Sequence, residues 1–238
     1  QELAEAIKLT RGYLSELGFE LAHLFGIKAM EKVALLKKAA DCVSLNETSR
    51  ASFETTARLV FRKFKALYPE EQVRKYIEEY NAIEAIYSNL NKRVADADVT
   101  TIIRQLQEVV NAHILIDTNT TNEEVVVDLS KLDFQKLKTA FAKAEHKNTF
   151  VFDLQQAIEQ QVDRMLQENP LRTEFYEKYK EIIDEYNQAK SPEDVGIAFG
   201  NLNDLLGELT IEDARAIREN LDQESLAIFD LLRANKTL

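Results

Sequence analysis

Glycine and proline are scarce, six and three in 238 residues, which leaves little punctuation for a chain of strands and tight turns. Cysteine is almost missing. Cys42 stands alone, so no disulfide can form within the chain, and this fits a reducing compartment. No apolar run reaches the ~20 residues needed to cross a bilayer, and the start, QELAEAIK, does not look like a signal peptide. That start lacks an initiator Met and is already in helical register, so an excised fragment of a longer product, or a chain that has lost an N-terminal segment or tag, is expected.

Equipment for chemistry is missing too. A phosphate-cradling loop needs glycines ahead of a Gly-Lys-Ser/Thr step, so that backbone N–H groups can approach the oxygens. No such string occurs. A di-metal carboxylate bundle needs two Glu-x-x-His strings from different helices. Glu20-Leu21-Ala22-His23 is one, but neither His113 nor His146 has a Glu three residues earlier. His23 reads as a turn or core-edge histidine, and Cys42 as a buried thiol on an apolar helix face. No catalytic residue, cofactor site or metal site is expected in this segment.

What is present suits helices. The chain is 45% hydrophobic and 30% charged, a balance typical of amphipathic helices, and at this length it should bury roughly 70% of its unfolded surface. Its net charge of −11 argues against a surface that binds nucleic acid everywhere, though not against a local basic patch.

The stretch Leu129–Lys190 is the most informative. Phe134, Leu137, Phe141 and Ala144 share one helix face. Val151, Leu154, Ile158, Val162, Met165 and Leu166 mark a second helix, and Leu171, Phe175, Tyr179, Ile182 and Tyr186 a third. Asn148 and Thr149 suit the cap of the second. Asn169 before Pro170 reads as a cap followed by the residue best suited to the first helical position.

Earlier in the chain, Leu3, Ile7, Leu14 and Leu17 give a helix ended by Gly18, and Met30 to Ala40 give another. Ser44 with Glu47 reads as a capping box for a long helix with Phe53, Ala57, Val60, Phe61, Phe64 and Leu67 inward, ended or kinked by Pro69. Val73 to Leu90 form the next, and Asp96–Asp98 open one through Ile102, Leu106 and Val109. The apolar runs 114–116 and 125–127 flank a polar stretch that suits a surface loop with minor strand content.

Towards the end, Ser191 and Asp194 make a capping box around Pro192. Gly196 and Gly200 read as the face on which a neighbouring helix comes close. Gly207 is expected to stop that helix, Thr210 with Asp213 to cap the next, and Asp222 to cap the last, which would bury Leu226, Phe229 and Leu232. The expected fold is all-α: a multi-helix array in two lobes, 1–117 and 118–238, with at most one short β-hairpin near residues 114–127.

Two basic groups stand out in this acidic chain. Arg58, Arg62 and Lys65 fall at i, i+4 and i+7, so they form a stripe, with Arg50 and Lys63 nearby. The stripe suits phosphates or an acidic partner, but a solvated face paired with the chain's own acids is the preferred reading. Lys143, His146, Lys147 and Arg172 cluster at helix junctions, as capping and charge-pairing groups or as a contact site.

The order LDFQKLKTAFAKAEHKNT, then LQQAIEQQVDRML, then QENPLRTEFYEKYKEIIDEYN resembles the C-terminal helical region of the restriction (motor) subunit of type I restriction-modification enzymes. His146-Lys147-Asn148-Thr149 and Asn169-Pro170-Leu171-Arg172 carry it most specifically. LGFELAHLF, MEKVALLKKAADCV, FRKFKALYP and SLAIFDLL are similar more loosely, so the resemblance covers most of the chain. It implies a piece of an ATP-dependent DNA translocase and site-specific endonuclease of the bacterial or archaeal cytoplasm. ATP and magnesium would be cofactors of that parent enzyme, used outside this segment. The implied partners are the methyltransferase and specificity subunits, with DNA reached through the parent complex and no membrane involved. Two roles follow for this segment: docking onto the methyltransferase assembly or bracing the motor, and direct contact with duplex DNA through the Arg58 stripe. Net charge favours the first.

Overall fold

A computed structural model describes residues 2–27, 29–68, 70–95 and 134–235, and every regular element among them is a helix. The all-α expectation holds. Pro69, the helix opening at Asp96–Asp98, the hairpin near 114–127 and the lobe boundary at 117/118 lie outside the described residues. The described residues fall into two compact units. One comprises those up to 95 together with His146–Thr149, and the other residues 134–145 and those from Phe150 onward.

In the first unit, α1 (Glu2–Glu16), α2 (Ala29–Val43), α3 (Glu47–Leu67) and α4 (Ile77–Ala95) share one core, with 3-10 turns at Leu21–Leu24 and Glu71–Tyr76. Phe53, Ala57, Val60 and Phe64 of α3 are buried in it together with Leu3, Ile7 and Leu14 of α1 and Ile83, Ile86 and Leu90 of α4. Helix α1 ends as its sequence predicts. Gly18 takes φ +87, and the next N–H, from Phe19, donates to the Leu14 carbonyl at 2.9 Å, a left-handed stop that favours glycine. Helix α3 starts differently from its expected capping box. Asn46, not Ser44, is the cap, its Oδ1 accepting the Ser49 N–H at 2.8 Å. Ser44 is unsuited to that role because its own N–H still closes the last turn of α2 on the Ala40 carbonyl.

The second unit contains α5 (Phe134–Lys143), most of α6 (Lys147–Glu168), α7 (Thr173–Tyr186), α8 (Pro192–Asp213), the single turn α9 (Arg215–Arg218) and α10 (Gln223–Asn235). Val151, Leu154, Ile158, Val162 and Met165 bury the predicted face of α6. Phe141 and Phe199 stack with centroids 4.0 Å apart, and Phe150 meets both rings edge-on. The capping box at Ser191 and Asp194 forms with both hydrogen bonds and Pro192 in the first turn. Asp222 caps α10 by accepting the Ser225 N–H at 2.7 Å.

Five local expectations give way to tertiary packing. Helix α8 runs straight through Gly207, because Leu205, Leu206 and Leu209 are buried on either side of it and outweigh glycine's weak helix propensity. Thr210 is then helix interior, its hydroxyl donating to the Leu206 carbonyl at 2.8 Å instead of capping anything. Residues 169–172 form a turn, with Asn169 Oδ1 accepting the Leu171 N–H at 3.1 Å, so α7 begins at Thr173 and Leu171 stays exposed. The inward face of α7 uses Ile183 where Ile182 was expected. In α10 only Leu226 of the predicted core trio is buried; Phe229 and Leu232 are 46% and 59% exposed. An ionic contact through Asp230 takes the inward position instead.

Candidate functional site

On α3 the apolar residues face the core, and Arg58, Arg62 and Lys65 are exposed. The three are not equally available. Arg58 Nη2 lies 3.1 Å from Glu54, and its Nε donates to the Glu54 carbonyl at 3.2 Å. Arg50 is buried: Nε reaches Glu54 at 3.2 Å, and Nη2 donates to the Leu90 carbonyl at 3.0 Å, tying α3 to α4. Lys63 pairs with Glu2. Arg62 and Lys65 make no ion pair with any described residue. The stripe therefore reduces to two available cations beside a partly committed third.

The junction group divides. Lys143 is exposed in the second unit, while the half-buried His146 and exposed Lys147 belong to the first. Thr149 does not cap α6 by itself; its N–H is accepted by the carboxylate of Asp41. Arg172 is only 4% exposed. Its Nε donates to Glu212 at 3.0 Å and its Nη2 to Gln223 at 3.2 Å. Arg215 donates from Nε to the same Glu212 oxygen at 3.0 Å and from Nη1 to Asp230 at 3.0 Å. Asn169 Nδ2 donates to Asp230 at 2.8 Å. The family-like Asn169–Arg172 turn is thus clamped to α8, α9 and α10 by a largely buried ionic network. Burial pushes the Asp230 carboxyl up, but hydrogen bonds and charge from Arg215, with Asn169 and Arg172, outweigh it and hold the group below its ordinary range. Glu212, Arg215 and Asp230 escaped the sequence reading. Their one signal was an aspartate interrupting the apolar run SLAIFDLL.

No cluster of three or more His, Cys, Asp or Glu among the described residues has the geometry to hold a metal ion. The Cys42 thiol is pushed up, first by burial and then by the neighbouring Asp41 carboxylate, so the reactive thiolate is disfavoured.

Two further surfaces of the second unit were not predicted. Helix α10 leaves Ile228, Phe229, Leu231 and Leu232 exposed while Asp230 turns inward. Between α7 and α8 runs a groove formed by two hollows of about 290 and 210 Å³ that share Ile182 and Asn201. Its floor includes Ile197, Ala198 and Leu205. Its walls carry Glu181 and Glu185 from α7 and Asp194, Asp204 and Glu208 from α8. Lys178 is the one cation among the described residues of this lining, bound to Glu208 at 2.5 Å, and Asp204 lies 3.7 Å from Lys138. No described residue outside α8 lies within 4 Å of a Cβ built at Gly196 or Gly200, so no described helix makes the close approach expected there. Each leaves α8 without about 0.5–1 kcal/mol that alanine would supply.

A sequence model of the family described as "Type I restriction enzyme HindI endonuclease subunit-like, C-terminal" matches residues 1–238. No curated protein and no solved structure matches the chain.

Proposed function

The chain belongs to the C-terminal family of HindI endonuclease subunit-like type I restriction enzymes, and from that premise we propose that it docks the endonuclease subunit onto the methyltransferase and specificity subunits and braces its motor. On this reading ATP and magnesium act elsewhere in the subunit, and the segment carries no chemistry. One observation supports docking above the others: the outward apolar face of α10. Ile228, Phe229, Leu231 and Leu232 lie within five consecutive residues. Covering one such side chain is worth roughly 1.5–3 kcal/mol, and contiguous apolar patches mark interaction surfaces.

The test is titration of the chain with the methyltransferase–specificity complex. Binding with modest salt dependence is expected, with loss on Phe229→Glu plus Leu232→Glu at unchanged helicity. Unimpaired binding by that variant would remove α10 from the interface. The chain alone is expected neither to hydrolyse ATP nor to cut DNA in the presence of magnesium.

A second reading, direct contact with duplex DNA, is supported by Arg62 and Lys65, two exposed cations of the α3 stripe that make no ion pair with a described residue. Phosphate contacts release counterions, so such binding would weaken steeply with salt. Little duplex binding is expected at physiological salt, because the net charge of −11 opposes encounter. Steeply salt-dependent binding abolished by Arg58→Glu with Arg62→Glu would promote this second reading.

A further inference from the structure

We propose that the groove between α7 and α8 receives a basic amphipathic helix from another polypeptide. Its floor and walls differ in chemistry, and together they narrow the occupant. Ile182 and Ile197 offer apolar surface beside the buried Ala198 and Leu205, and Ile197 stands 61% exposed. A bare cation or a polar solute gains nothing from such a floor. The walls are acidic, which repels phosphate and so excludes a nucleic-acid strand. Between Thr173 and Asp213 the sequence carries eleven acidic residues against three basic ones. Glu181 and Glu185 are exposed and make no ion pair with a described residue. An occupant with an apolar stripe flanked by Lys or Arg satisfies both parts.

Length and backbone clearance favour a helix as the form of that occupant. From Asp194 to Glu208 the lining extends along α8 for about 21 Å at 1.5 Å per residue, room for roughly four turns. Gly200 lies on the face of α8 that carries Ile197, Asn201 and Asp204, with no described residue outside α8 within 4 Å of where a Cβ would stand. A second helix can approach closest at such a position. The groove uses other side chains than the α10 face, so this proposal and docking through α10 fail separately.

The test uses the whole chain and two synthetic amphipathic peptides of about 18 residues with the same Leu/Ala stripe, one flanked by Lys and the other by Glu. Binding is read by fluorescence anisotropy and mapped by amide chemical shifts. The Lys peptide is expected to bind at least tenfold tighter, with shifts confined to α7 and α8. Glu181→Lys with Glu185→Lys should weaken it at least tenfold. Glu5→Lys with Glu16→Lys, which alters net charge equally on α1, should change it less than twofold. Ile197→Glu, at an exposed position, gives the same tenfold loss should the double α7 variant fold poorly. Equal binding of both peptides, equal effects of the two charge reversals, shifts mapping elsewhere, or no binding would each overturn the proposal.

Discussion

The Asp41 carboxylate accepts the backbone N–H of Thr149 at 2.9 Å, across 108 residues of chain. Asp41 lies in the last turn of α2, where a negative charge opposes its own helix dipole. At the N-terminus of α6 the same charge is favourable, because it faces N–H groups with no partner inside the helix. Asn148 reinforces the contact by donating from Nδ2 to the Asp41 carbonyl at 3.0 Å. An acid misplaced for one helix is thus well placed for another.

Asp41→Ala should therefore destabilise the chain by about 1 kcal/mol, the usual loss when a cap is removed. Asp41→Asn keeps an acceptor oxygen and should lose less. Urea denaturation followed by circular dichroism measures both. A cost in Asp41→Ala indistinguishable from zero would mean that the contact contributes nothing to stability.

Arg215 should matter more. Removing one partner of a buried pair leaves the other desolvated and unpaired, and with both side chains slightly exposed about 2–4 kcal/mol is expected for Arg215→Met. The double variant Arg215→Met with Asp230→Leu should recover much of that loss. A pH signature separates the pair from plain packing. The folded Asp230 carboxyl sits below its ordinary value, so the unfolded chain takes up the proton first. Its contribution is complete above the ordinary carboxylate range and is lost as pH falls through the lower folded value. Stability should thus decline on acidification below about pH 4, and less steeply in Arg215→Met. Equal slopes in the two proteins would exclude Asp230 as the source.

The glycines separate by backbone geometry. Gly18 has φ +87, so Gly18→Ala should cost about 1 kcal/mol. Gly196 and Gly200 sit in ordinary helix with no described residue outside α8 within 4 Å of the missing Cβ. Gly196→Ala and Gly200→Ala should each raise stability by about 0.5–1 kcal/mol. Thermal melting of the three variants checks the opposite signs; destabilisation by either α8 substitution would reveal packing around that helix that the open geometry does not contain.

Much of this architecture was legible in the chain itself, because helix periodicity and capping act within a few residues. The inward faces of α3 and α6, the left-handed stop at Gly18, the box at Ser191 and the cap at Asp222 all depend on neighbours no more than one or two turns away. The stripe of Arg58, Arg62 and Lys65 was legible for the same reason, since spacing alone places the three on one side of a helix. Which charges are already paired is a different matter. Arg172 read equally as a charge-pairing group or a contact residue, and it is buried against Glu212 and Gln223, 40 and 51 residues away. Gly207 looked like a stop and is carried through by the burial of its leucine neighbours. Phe229 and Leu232 looked like core, yet the helix turns Asp230 inward because Arg215 and Asn169 hold it there. A local pattern determines that a face is apolar or charged; only the partners brought from far along the chain decide whether that face is covered.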